Sequence, residues 1–154
     1  MVEIGTANIS HLDAIVALLS DDKLGATRED ASRTDAYITA FEEIQADPNA
    51  RILVALNGEK VVGCLQLNIL ANLTLTGSKR GLIEGVRVDK TMRGKGVGRR
   101  LFDAAIAICH DADCAMVQLT TNNVRPDAAA FYENLGFVGS HIGFKLLLEP
   151  KTSL

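Results

Sequence analysis

The sequence predicts a mixed α/β sandwich with an antiparallel meander at its centre. Strand-like and helical stretches follow one another in the order β α α β β β α β α, with one or two strands closing the chain. Asn57-Gly58 sits between two apolar runs, and residues 97–112 repeat apolar side chains at helical spacing. A chain of 154 residues suits one domain, and residues 1–154 are expected to form it.

Residues 2–7 (VEIGTA) read as a short first strand. Ser10 and Asp13 supply an N-cap and an acidic first turn to a helix over 11–21. A second helix is predicted over 32–47, with Tyr37, Phe41 and Ile44 on one face, ending before Pro48. RILVAL (51–56) and KVVGCLQLNI (60–69) flank Asn57-Gly58 as the arms of a hairpin. After the polar turn TGSKR comes a fourth strand, GLIEGVRVD (81–89). The helix over 97–112 spaces Val97, Leu101, Ala105 and Ile108 for one buried face. AMVQLTT (115–121) is a fifth strand, and a short helix follows with Pro126 near its start and Gly136 at its C-cap. FVGSHIGFKLLL (137–148) supplies the closing strand or strands.

Composition narrows the function classes. Apolar residues are 47% and charged residues 23%, with three prolines and no internal repeat, a globular composition. No apolar run approaches the roughly 18 residues of a membrane span, and the first ten residues lack the pattern of a signal peptide, so a cytoplasmic protein is expected, with no membrane partner. Cys64, Cys109 and Cys114 lack metal-ligand spacing and read as reduced structural thiols; no metal is expected. The net charge is −3, unevenly placed. Residues 87–100 hold six basic side chains against Asp89, a local +5, so the rest of the chain carries −8. That asymmetry suggests a small anionic ligand. Without aromatic residues among those charges, nucleic acid is not expected as a partner.

The segment RGKGVGRR lies between a predicted strand and a predicted helix. A helix N-terminus presents unpaired N–H groups and a positive dipole end, and glycines let the backbone approach an anion closely. A Walker loop is absent here, and a GxGxxG fingerprint fails because its third glycine falls on Arg99. What occurs is RxxGxG, as Arg93, Gly96 and Gly98. By spacing alone it reads as a phosphate loop or as a glycine-softened turn with a solvated basic rim.

In context, IEGVRVDKTMRGKGVGRRLFDAAI followed by VQLTTNNVRPDAAAFYENLGF resembles the GNAT superfamily of acyl-coenzyme A dependent N-acetyltransferases. The resemblance implies a mostly antiparallel sheet of six to seven strands flanked by about four helices. It implies acetyl-CoA as acyl donor, held through Arg93, Gly94, Lys95, Gly96, Val97, Gly98 and Arg99. It also implies a fourth strand splayed from the fifth, where pantetheine would pair with the backbone around Val86, Arg87 and Val88, Gly85 forming the opening bulge. Residues 120–137 with SHIGF resemble the C-terminal half of aminoalkylphosphonate N-acetyltransferases and related small-amine enzymes. Where many members carry a cofactor-supporting asparagine this chain has Arg125; Asn122 or Asn123 would substitute. The superfamily also implies a homodimer.

Acetyl transfer needs a neutral amine, a polarised carbonyl and a proton for the departing thiolate. Strict alternation places Glu84 with Leu82, Val86 and Val88 on an apolar face, where burial would raise its pKa toward that of a useful base. A bulge at Gly85 would instead change the phase and leave Glu84 solvated or salt-bridged. Tyr132 matches the tyrosine that many members place beside the coenzyme sulfur, and a phenol of pKa about 10 is protonated at neutral pH; alternatively it is a packed helix-face aromatic. The Val86 N–H would polarise the carbonyl. His141 could orient an acceptor anion or act as a second base, though a lone strand histidine is more often structural. Arg28, Arg33 and Tyr37 could meet an anionic acceptor, or be solvated helix residues. The expected activity is acetyl transfer to the primary amine of a small molecule by direct attack in a ternary complex. The alternatives are a protein lysine or N-terminal acetyltransferase and a non-catalytic acyl-CoA sensor.

Overall fold

The computed structural model describes residues 1–21, 25–122 and 126–148. The chain forms two compact units, Met1–Leu119 and Thr120–Leu154.

In the first unit, β1 (Val2–Thr6), β2 (Ala50–Asn57), β3 (Lys60–Leu70), β4 (Lys79–Val88) and β5 (Cys114–Leu119) form one sheet in sequence order. The first three pairings are antiparallel and β4–β5 is parallel. The predicted β2–β3 hairpin is present: Asn57 pairs with Lys60, and Gly58, at φ 62°, is the first of two loop residues, where a type II′ turn favours glycine. Helices α1 (Leu12–Ser20), α2 (Gly25–Arg28), α3 (Thr34–Ala46), α4 (Thr74–Gly77) and α5 (Val97–Asp111) complete this unit.

The sheet is covered unequally on its two faces. On one face α5 buries Val97, Leu101, Phe102, Ala105 and Cys109, each worth about 1 to 3 kcal/mol depending on size. Strand β3 shows why the chain folds this way: Leu65, Leu67 and Ile69 are buried while Gln66 and Asn68 between them are half-buried, a period of two. On the opposite face Leu12, Ile15, Val16 and Phe41 from α1 and α3 form a core with Val54, Val61 and Cys64. Cys64, Cys109 and Cys114 are free thiols.

In the second unit, α6 (Pro126–Asn134) ends in a Schellman motif. The Phe137 N–H donates to Tyr132 O (3.0 Å) and the Gly136 N–H to Glu133 O (2.9 Å), with Gly136 at φ 93°.

Three expectations are corrected. The sheet of described residues has five strands, not six or seven, because residues 138–148 adopt no strand; alternation supplies a pattern, but a strand also needs a ladder partner. Among the described residues six α-helices replace about four, the additional ones being the four-residue turns α2 and α4, too short to leave a periodic signal. Ser10 does not cap α1: Asn8 caps a single 3-10 turn, Ile9–His11, by accepting from the Ser10 N–H (2.9 Å), and α1 follows directly with His11 as its N-cap and no side-chain capping bond.

Candidate active site

Strand β4 is paired on both sides over only half its length. With β5 the register runs from Lys79 opposite Cys114 to Ile83 opposite Leu119 and then stops, while β4 continues to Val88 beside β3. Glu84–Val88 therefore runs on past the end of the β5 ladder, an edge where an extended ligand could add to the sheet.

Gly85 shapes that edge. Cys64 pairs with Arg87 and Gln66 with Glu84, so Leu65 alone faces both Gly85 and Val86. This is a bulge with Gly85 at φ 61°, a conformation that favours glycine. The bulge corrects the predicted phase. Glu84 is exposed rather than buried, and it shares its face with Arg87 and Leu82 while Val88, opposite Gly63, turns to the α5 side.

Beyond Val88 the chain turns directly into a basic loop. Asp89 accepts from the Thr91 N–H (2.8 Å) and hydroxyl (2.6 Å), and these bonds, aided by Lys60 at 3.4 Å, hold its carboxyl down to about 2. Arg93 Nε donates to Val88 O (3.2 Å), tying the loop to the end of β4. Gly94 and Gly96 adopt φ 74° and 78° around Lys95, and no atom lies within 4 Å of where their Cβ atoms would stand. Gly96 is the N-cap of α5, with no side chain capping it and no acidic residue in the first turn. The Arg100 backbone N–H donates to Gly96 O (3.1 Å), leaving the amides of Val97, Gly98 and Arg99 at the mouth of the helix. Open, left-handed glycines and uncapped amides amid basic side chains form a cradle that could hold an anion such as a pyrophosphate.

Arg28 and Arg33 are exposed at the ends of α2 and α3. The Tyr37 hydroxyl donates to Glu29 Oε2 (2.5 Å) and accepts from the Asp30 N–H (3.2 Å), so it closes the turn before α3; the bond to Glu29 raises its pKa. Tyr132, Asn122 and His141 belong to the second unit. There Tyr132 is half-buried between Phe131 and Phe137, ring centroids 5.5 and 6.2 Å away, and His141 Nδ1 lies 2.7 Å from Ser140 Oγ. Asn123 falls outside the described residues.

Sequence reasoning missed a polar group on the same sheet face as Glu84. Register places Gln66, Asn68, Leu82, Arg80 and Gln118 there. Gln66 Nε2 donates to Asn68 Oδ1 (3.0 Å), and Arg80 donates to Gln118 Oε1 (3.1 Å) and Thr74 Oγ1 (3.0 Å). The signal was alternation in β3, which sets Gln66 and Asn68 apart from the leucines, but only pairing joins them to Glu84.

Known proteins resemble this chain in sequence and fold. The model of the acetyltransferase (GNAT) family matches residues 12–137. The chain is 31% identical over 109 residues to the aminoalkylphosphonate N-acetyltransferase of Salmonella typhimurium, covering 71% of this chain and 70% of that one. It is 30% identical over 132 residues to "Probable glucosamine 6-phosphate N-acetyltransferase 2" of Oryza sativa subsp. japonica, covering 86% and 72%. Among solved structures, a Bacillus halodurans C-125 protein described as a transcriptional regulator superposes with a TM-score of 0.93 at 43% identity, covering 96% of this chain and all of that one. The chain belongs to the GNAT acetyltransferase family, whose members use acetyl-CoA as acyl donor.

Proposed function

We propose that the protein transfers the acetyl group of acetyl-CoA to the primary amine of a small molecule. The observation that carries this reading is the continuity of the half-paired strand with the cradle: Glu84–Val88 leads through Arg93 into Gly94–Arg99. Acetyl-CoA supplies an activated acyl thioester. Amides of Val97, Gly98 and Arg99, with Lys95 and Arg93, would hold its pyrophosphate, and the β4 edge would align its pantetheine arm.

The remaining roles belong to this chain's side chains and amides. Glu84, exposed where β5 pairing ends, is accessible to an incoming ammonium and would take its proton directly or through one water. The Val86 N–H, at the bulge, would donate to the carbonyl oxygen as negative charge develops there. Direct attack forms the C–N bond and breaks the C–S bond, and the new amide nitrogen sheds its surplus proton to water; in the role the family resemblance implies, the Tyr132 hydroxyl would protonate the departing thiolate and be reprotonated from solvent. A small-molecule acceptor is supported by relatives named for glucosamine 6-phosphate and aminoalkylphosphonates, both small amines.

Release of coenzyme A from acetyl-CoA across a panel of amines, with Tyr132→Phe alongside, tests this reading. It expects turnover on one class of small amine and a sharp fall in the variant. A second reading, an acyl-CoA-binding regulatory module, is favoured by the likeness to the Bacillus halodurans protein described as a transcriptional regulator. Tight acetyl-CoA binding with no turnover on any amine would select it.

A further inference from the structure

The polar group on the Glu84 face is unusual for its position. Strands β3 and β4 are interior strands of the sheet, their α5 face is apolar, and α1 and α3 cover Val54 and Cys64 on the opposite face. Beyond that cover, toward β5, the same face carries Gln66, Asn68, Arg80 and Gln118, all half-buried. Half-buried polar side chains in the middle of a sheet are costly unless something satisfies them. Gln66 and Asn68 partly satisfy each other. Arg80 is less well served: two of its nitrogens reach Gln118 and Thr74, but its Nε is buried with no hydrogen-bond partner among the described residues.

We propose that Arg80, oriented by Gln118 and Thr74, is the anion-holding end of the acceptor site, and that the acceptor is a primary amine carrying an oxyanion several bonds away. This rests on the acetyltransferase reading above for its amine end. Glu84 and Arg80 point to one face of one strand, four residues apart, so their Cα atoms stand about 13 Å apart with Leu82 between them. A carboxylate at one end and a guanidinium at the other complement an ammonium and an anion. Two of the guanidinium nitrogens already face fixed oxygens, so the side chain loses little freedom on binding. The unpartnered Nε edge is the one that carboxylate and phosphoryl oxygens take in bidentate pairs, and a small rotation of the side chain would present it. Gln66 and Asn68 flank Leu82 and Glu84 and offer hydrogen bonds to the linking portion. The other cation on this face, Arg87, donates from Nη1 to Val86 O (2.8 Å) within its own strand.

The test compares amines of one skeleton ending in a carboxylate, a phosphonate or phosphate ester, or a neutral amide, in the wild type, Arg80→Gln, Arg80→Lys and Gln118→Leu. The wild type should prefer an anionic member, and Arg80→Gln should lower that preference in kcat/KM roughly ten- to a hundredfold, through KM rather than kcat. Arg80→Lys, which keeps charge but loses the fork, and Gln118→Leu, which leaves the guanidinium unoriented, should fall between. The last also serves if Arg80→Gln does not fold. The arm with the larger effect distinguishes carboxylate from phosphoryl acceptors. Equilibrium titration of the same amines in the presence of coenzyme A reads binding without turnover. Binding of the anionic amine that depends on Arg80, with no acetyl transfer, would refute the acetyltransferase reading and leave this subsite standing. The same preference in wild type and all variants, or a wild type favouring the neutral amide, would overturn the subsite.

Discussion

The Sγ of Cys109 occupies the space that a Cβ on Gly81 would need. One residue is in the last turn of α5 and the other is in β4, so this contact sets how closely the helix beyond the cradle seats on the strand leading to it. Leu67 Cδ1 lies 3.4 Å from the same point, so a methyl group there has no free direction. Gly81→Ala should destabilise the fold by about 2 kcal/mol through overpacking. Cys109→Ala in that background should recover part of the loss, giving a coupling energy of about 1 kcal/mol in a denaturant double-mutant cycle.

The cradle glycines are required for a different reason. Nothing crowds Gly94 or Gly96, yet both are left-handed. Gly96→Ala should cost about 1 kcal/mol of stability from backbone strain alone. By turning the amides at the mouth of α5 it should also weaken acetyl-CoA binding by roughly tenfold, as read by calorimetric titration.

Burial pushes the Cys64 thiol up to about 12, far above an unfolded cysteine near 8.5. The raised value fixes the sign: both states keep the proton below about pH 8.5, and above it only the unfolded state releases it. Stability from this group is therefore complete at neutral pH and lost as pH rises through that window, by about 2 kcal/mol at pH 10. Unfolding free energies of wild type and Cys64→Ala between pH 7 and 10 should converge by that amount.

If Glu84 takes the proton from the amine, Glu84→Gln should lower kcat on the order of a hundredfold with little change in the KM for acetyl-CoA. An unchanged kcat would move the base elsewhere.

Much of this molecule is legible in local sequence, because local rules decide it. Asn57-Gly58 between apolar runs forces a hairpin, the Val97–Leu101–Ala105 spacing forces α5, and glycines at 94 and 96 mark backbone that can approach an anion closely. What depends on pairing was only partly legible. Glycine at 85 offered a bulge, but only the β3–β4 register decides between the two phases, setting Val88 on the opposite face from Glu84 and leaving the carboxylate exposed. The association of Arg80 with Gln118 joins residues 38 apart in sequence and exists only through the parallel β4–β5 register. Residues 138–148 alternate as a strand would, but alternation does not supply a partner.

Hydrogen exchange of the free protein and of the protein with acetyl-CoA reads whether the half-paired segment of β4 and the glycine cradle hold the acyl donor together. Protection should rise together in Glu84–Val88 and in Gly94–Arg99, with the amides of β1 and β2 unchanged. Protection confined to other segments, or none at saturating acetyl-CoA, would rule out a shared donor site.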